Sequence, residues 1–499
     1  MIPPPEKICP PAKLVSHRAV PGAAYSPVAL IRRLGVPETG AFVLLDSAGG
    51  SAELCRYSFL AWDPRLEVSV RGGQALVKAG ATELAIEAGD PFQLIRELLL
   101  RLAPGDFPAA AGLNLPLTGG AFGVAGYDAG RYIENLPRRA IDDLGFPELW
   151  FIFPRRLICF DHRRSTAHIL FEDALSSSLD RAEQAIMDSA AEAPAVPEEI
   201  ARDVFDLSAA TLSNMTRSVF ERMVERAKDY IFAGDIFQSN LSQRLALPYA
   251  GASLDLYRAL RTVNPSPFAG YVNMGVSGFE LISSSPERLV QLSGGQAQTR
   301  PIAGTRRRGA DFAEDGSLTA ELNLDPKERA EHIMLVDLER NDLGRVCQYG
   351  TVTVDELMVN EAYSHVIHIV SNVKGKLRTD RDALDLLRAM FPGGTITGCP
   401  KVRCMEIIDE LEPVRRGPYT GSFGYFGYNG NMDMNIIIRT LLRRGNLVYA
   451  QAGAGIVADS DPGREFRETL RKAEAMIKAI HLTQKWQKRG QRRGDKLYF

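Results

Sequence analysis

Apolar and polar positions follow two rhythms along this chain. Runs that are continuous or alternate with polar residues, at 40–47 (GAFVLLDS), 66–72 (LEVSVRG), 119–129 (GGAFGVAGYDA) and 149–162 (LWFIFPRRLICFDH), read as strands separated by turn-rich pieces. One strong helical pattern, 90–104 (DPFQLIRELLLRLAP), interrupts them. A further helix over 178–193 runs into an Ala/Pro/Glu stretch with little apolar periodicity, so 190–212 is expected to be a linker. Beyond it, 216–235 carries apolar residues at helical spacing and stops at Gly234. Strands are expected in 236–247, 268–275 and 279–292, and helices and strands then mix to about residue 480. This alternation predicts an α+β fold of layered antiparallel sheets with helices packed outside. The chain is expected to divide into an N-terminal domain (1–189), a second domain (213–482) and a basic tail (483–499), poor in aliphatics and expected to be a mobile end.

Two Glu-x-x-Glu pairs stand out within the helical patterns, Glu328/Glu331 and Glu465/Glu468. Residues three apart share a helix face, so each pair points two carboxylates one way. Either pair alone reads as an ordinary solvated face. Glu331, however, is followed by His332 and the apolar residues 333–336, which puts its carboxylate on a partly buried segment, where it needs partners. Two such helices brought together would offer up to four carboxylates to one hard cation, which describes a Mg2+ site. Asp461 reads as an N-cap with Pro462 at the first helical position, directly after a glycine-rich turn whose N–H groups can face an anion. Lys472, four residues past Glu468, suits either an intrahelical ion pair or a substrate carboxylate. Gln238, Glu287, Thr305, His368, Thr395, Tyr419 and Arg439 interrupt otherwise apolar strands and turns. With the glutamates, they suggest a pocket for a small polyanion, and Arg439 offers a fork for bidentate carboxylate recognition.

At 499 residues the chain has ample core, and its net charge of −2 with a pI near 6.4 gives no electrostatic case for nucleic acid or an anionic membrane. Six cysteines without a Cys-x-x-Cys pair indicate neither a disulfide framework nor zinc, and the cytoplasm is the expected setting. No apolar run reaches membrane-span length, and the proline-rich start does not read as a signal peptide. The glycine clusters fit neither Rossmann nor P-loop spacing.

Seven segments carry a family likeness: DIFQSNLSQR, SSSPERLV, RPIAGTRRRG, ELNLDPKERAEHIMLVDLERNDLGRV, FPGGTITGCPKVRCMEIIDELEP, RRGPYTGSFGYFG and QAGAGIVADSDP. In this order, over residues 218–480, they resemble the chorismate-binding enzymes, specifically anthranilate synthase component I and aminodeoxychorismate synthase component I. FVLLDSAGG, CRYSFLAWDP and GGAFGVAGYD are similar to the N-terminal domain of both. The resemblance implies that Glu331 and Glu468 ligate Mg2+ directly, with Glu328 and Glu465 beside them, and that the ion holds the ring carboxylate of chorismate. It makes Glu287 the general acid that assists loss of the C4 hydroxyl, a role that needs a raised pKa. His368 and Thr395 are implied to line the ring, and Tyr419, Arg439, Gly455 and Lys472 to contact substrate carboxylates. Ala303, Gly304, Thr305 and Gly453 complete the expected substrate-binding set.

Gln238 is the mechanistically sharp position. Relatives that add water to chorismate are expected to carry a lysine base there; a glutamine amide cannot take a proton near neutrality, so Gln238 argues for amination. No cysteine sits in a setting for glutamine hydrolysis, and free ammonia is scarce at neutral pH, so a separate glutamine amidotransferase subunit is the implied partner. Ala303 excludes covalent addition by a lysine at that position, yet it fits anthranilate synthases and a subclass of aminodeoxychorismate synthases alike. PGGTITGCPK and GNMDMNIIIRT look more like aminodeoxychorismate synthase, QAGAGIV more like anthranilate synthase. The reading leans to the former, with anthranilate and pyruvate as the alternative products. LLDS departs from the Leu-Leu-Glu-Ser of tryptophan-inhibited enzymes, which leaves feedback inhibition open. A non-catalytic binding protein of this fold is the third reading, disfavoured because every glutamate of the site, Glu287 and His368 are present.

Overall fold

The computed structural model describes residues 15–22, 25–51, 53–104, 113, 115–172, 174–189, 212–309, 311–362 and 366–493. The expected linker therefore lies outside the described residues except for Leu212, which starts the short strand Leu212–Ser213.

Helix ends follow local chemistry. Asp90 caps the helix Pro91–Leu102 by accepting from Phe92 N and Gln93 N, and Thr216 caps Arg217–Phe232 through Val219 N. Gly234, at φ 81°, turns the chain out of that second helix, as only glycine does without strain. Asp461 Oδ1 accepts from Arg464 N at 2.7 Å, starting the long helix Pro462–Arg493 at the expected residue. Residues 494–499 of the expected tail lie outside the described residues, but the helix runs past the expected domain end at 482. It continues to Arg493, with Trp486 packed against the core and the Arg258 guanidinium 4.5 Å from its ring centroid.

The strand expected over 279–292 is two strands, Phe279–Ser285 and Arg288–Ser293, because Pro286 has no N–H to donate. Glu287 sits at the break.

The architecture is α+β: a large curled antiparallel sheet with helices outside. Its described strands join in one pairing network. Tyr57–Arg71 runs beside Leu149–Asp161, and Gln238–Pro248 beside Leu447–Ile456. Two further ladders join the regions before and after the linker: Ala41–Asp46 pairs with Phe268–Met274, and Gly120–Ala125 with Ser422–Gly427. The buried clusters mix the same regions. Phe151 and Phe153 pack with Leu289 and Met434, Phe42 and Leu44 with Tyr271 and Met476, and Trp150 with Leu281 and Phe423. Hydrophobic burial thus holds both parts against each other. Among the described residues no helix is long and apolar enough to cross a membrane, and the five described cysteines are free.

Candidate active site

A cavity of approximately 820 Å³ opens between the sheet and two helices, Pro326–Gly344 and Pro462–Arg493. Fourteen of the sixteen residues expected at the site line it: Gln238, Glu287, Ala303, Gly304, Glu328, Glu331, Thr395, Tyr419, Arg439, Gly453, Gly455, Glu465, Glu468 and Lys472. Residues scattered between positions 238 and 472 converge there.

The floor is the ladder between Gln238–Pro248 and Leu447–Ile456. Asn240 stands opposite Gly455 and Ser242 opposite Gly453. A Cβ on Gly455 would fall 2.6 Å from Gln238 Nε2, and one on Gly453 2.8 Å from both Tyr419 OH and Asn240 Oδ1. The two glycines therefore leave room where any side chain would fill the cavity. On one wall, Gly304 at φ 70° brings its strand so close to the helix Pro326–Gly344 that a Cβ would lie 3.1 Å from Glu328 Oε2.

The carboxylates are held by separate neighbours. Glu331 Oε1 accepts from Gln238 Nε2 at 3.0 Å, and Glu328 Oε1 from Arg306 Nη1 at 3.1 Å. Glu468 pairs with Lys472 Nζ at 2.8 Å, and that ammonium also donates to Gly453 O at 3.1 Å. Burial works to raise the Glu468 pKa, but the Lys472 ammonium, with Arg471 and Arg439 behind it, outweighs burial and the carboxyl is held below its ordinary range. Arg439, at φ 51°, donates from Nη1 to Lys472 O at 3.0 Å, anchoring this helix to the cavity.

Glu287 is 6% exposed, and burial pushes its carboxyl up to about 7 against the lowering influence of the Thr395 hydroxyl, the Ile302 N–H and the Lys472 ammonium. Thr395 Oγ1 lies near enough to act on that pKa but makes no well-formed hydrogen bond, and Gln238 Oε1 is likewise buried without a partner. Two polar atoms on the wall are thus left for a ligand.

The other two expected residues are His368 and Thr305. His368 does not line the cavity: its Nδ1 is 3.4 Å from Gly304 O, and burial lowers its pKa to about 4, so the ring is neutral at pH 7. Thr305 pairs with His368 in the strand ladder, across an irregularity after Ala303, and its side chain lies outside the described residues. Other lining residues escaped the sequence reading, notably Asn240, Arg306, Arg464 and Arg471. Periodicity offered a signal for three of them. Asn240 lies two strand positions past Gln238, Arg464 four residues before Glu468 on the same helix face, and Arg471 three after it.

The donor set suits a hard divalent cation, since it consists of carboxylate oxygens on two helices facing one space. Among the described residues no three such side chains close on one point.

A second cavity, approximately 460 Å³, is lined by Asp46, Arg56, Phe268, Tyr425 and others. Asp46, in LLDS, accepts from Tyr257 OH at 2.5 Å and from Arg261 Nε at 2.6 Å.

Residues 40–478 match the profile of a family described as chorismate binding enzyme. Anthranilate synthase component 1 of Acetivibrio thermocellus is 41% identical over 473 residues, spanning 91% of this chain and 92% of the relative. Aminodeoxychorismate synthase component 1 of Bacillus subtilis (strain 168) is 42% identical over 451 residues, spanning 89% and 92%. Among solved structures, anthranilate synthase component I from Streptococcus pneumoniae superposes with a TM-score of 0.71 at 35% identity, spanning 84% of this chain and 92% of that one.

Proposed function

The chain belongs to the chorismate-binding enzymes, and on that premise we propose that it aminates chorismate with ammonia from a glutamine amidotransferase partner, acting as aminodeoxychorismate synthase component I. The observation that carries this reading is that a buried, protonatable Glu287 and both glutamate pairs share one cavity whose polar floor begins with Gln238, not a lysine.

In this reading Glu331 and Glu468 would hold Mg2+, with Glu328 and Glu465 beside them, and the bound ion would supply positive charge to the ring carboxylate of the substrate. Lys472 and Arg439 add fixed positive charge on the same side, and Tyr419 OH, kept protonated by burial that raises its pKa to about 12, donates a hydrogen bond. Glu287 gives its proton to the departing C4 hydroxyl, which leaves as water while a ring C–N bond forms to ammonia. Ammonia brings its own lone pair, so Gln238 need only hold Glu331 in place and offer Oε1 as an acceptor. Ala303, a methyl on the wall, leaves the ring open to ammonia.

Anthranilate synthesis is the second reading, favoured by QAGAGIV and by identities of 41% and 42% that do not separate the two activities. A product assay with purified chain, Mg2+, chorismate and ammonium at alkaline pH decides between them. Aminodeoxychorismate, converted to p-aminobenzoate only by an added lyase, is the expected product. Anthranilate with pyruvate would replace the leading reading, and no aminated product would refute both.

A further inference from the structure

Behind the cavity wall, Arg416 is fully buried with every N–H group engaged. Nε donates to Glu412 Oε2 at 3.0 Å, Nη1 to Ile396 O and Thr420 Oγ1, each at 3.1 Å, and Nη2 to Asn240 O at 2.5 Å and Glu412 Oε1 at 2.7 Å. The guanidinium lies between two rings, 4.9 Å from the centroid of Tyr127 and 5.5 Å from that of Tyr419. Glu412 Oε1 accepts in addition from Ser242 N and Ser242 Oγ, both at 2.9 Å. One ion pair thus ties together three stretches of chain that are remote in sequence. Each carries part of the cavity wall: Asn240 itself, Thr395 beside Ile396, and Tyr419 beside Thr420.

A charge pair this dry is a poor source of stability, because desolvation offsets most of the attraction and apolar replacements of both members are often neutral. Directional bonds to two carbonyls and a hydroxyl are what apolar residues cannot replace. We propose that Arg416, seated on Glu412, is a positioning residue that fixes Asn240, Thr395 and Tyr419 relative to one another for the bound substrate. Its kinetic readout rests on the chorismate reading above; its structural readout does not.

The test is Arg416→Lys in the full chain, which keeps the charge opposite Glu412 but lacks the planar fork. Amide hydrogen exchange by mass spectrometry should accelerate roughly tenfold or more in 238–242, 394–399 and 417–421 and stay unchanged in the two metal-site helices. The kcat/KM for chorismate, per folded molecule, should fall about a hundredfold, the scale of a 1 Å misplacement. Unchanged exchange in those segments overturns the proposal, whatever the kinetics, and so does a kcat/KM within about twofold of the parent. Should the lysine variant fail to fold, Arg416→Met with Glu412→Gln removes the pair as a unit. Recovered stability with faster exchange in the three segments supports the positioning role. Exchange as in the parent, or failure of this variant also to fold, assigns the pair to fold stability alone and overturns the proposal. A parent enzyme without activity on chorismate refutes the functional reading, while exchange still decides the positioning.

Discussion

Glu287 shows how one side chain links chemistry to stability. Its ordinary value of 4.5 is pushed by burial to about 7, so the fold favours the protonated form. For the reaction, kcat/KM for chorismate, measured at constant free ammonia, should fall about tenfold per pH unit above 7, and Glu287→Gln should flatten that limb while slowing the chemical step. For stability, a carboxyl with a raised folded-state pKa contributes fully below pH 4.5 and loses that contribution as pH rises through 7. Glu287→Gln should therefore be neutral near pH 4 and stabilising by up to about 3 kcal/mol at pH 8, measured by denaturant unfolding. Equal stability of the two proteins at pH 8 would contradict the burial account. Glu468 behaves oppositely: held ionised beside Lys472, it is ready for a cation at neutral pH. Glu468→Gln should weaken Mg2+ activation by more than roughly a hundredfold, because groups that merely support a metal ligand are already worth 10–100-fold. An unaltered Mg2+ titration would remove Glu468 from the site.

At the scale of elements, what the sequence made legible is what local chemistry decides. Asp461 caps the helix it was read to cap, and Asp90 and Thr216 cap theirs in the same way, because a capping oxygen and its N–H targets lie within a few residues. The glutamate pairs were legible for the same reason, since three-residue spacing on a helix fixes a face whatever the fold. Residues on strands were harder to place. His368 was expected on the ring, but the irregularity between Ala303 and Thr305 in the neighbouring strand is a pairing property that single-strand patterns do not carry. The helix through Trp486 was missed because few aliphatics mark it, although Leu482, the buried Thr483 and the indole stacked on Arg258 all pack its end against the core. Two glycines, one in the floor ladder and one in the strand Ser422–Gly427, give a paired test of close approach. Gly455→Ala meets the end of the Gln238 side chain and, at 3.9 Å, Glu331 Oε1, with no backbone in the way, so the melting temperature should hold while the KM for chorismate or Mg2+ rises roughly tenfold or more. Gly424→Ala would drive a Cβ to 2.0 Å from Asp433 O, a backbone atom, and should destabilise by about 1–3 kcal/mol or more in thermal unfolding. A Gly455→Ala enzyme with parental kinetics would show that Gln238 has space to yield.

For the whole molecule, pairing across the linker matters more than the division of the chain into two regions. Composition located 190–212 as a break in the sequence, but no property of a single segment revealed that Ala41–Asp46 would lie beside Phe268–Met274 or Gly120–Ala125 beside Ser422–Gly427. Removing the first region would bare two strand edges and the apolar faces around Leu281 and Phe423. The full chain should accordingly unfold in one calorimetric transition, and residues 213–493 expressed alone should aggregate without a cooperative melt. A soluble fragment with its own sharp transition would refute the shared core.

The same interleaving sets a timetable for synthesis. The edge formed by Ala41–Asp46 leaves the ribosome more than two hundred residues before the strand that covers it, an interval on the order of ten seconds or more at ordinary elongation rates. During that interval the nascent chain displays a sticky, half-built ribbon, so yield in the cell should depend on chaperone capacity more steeply than the finished enzyme's stability would suggest.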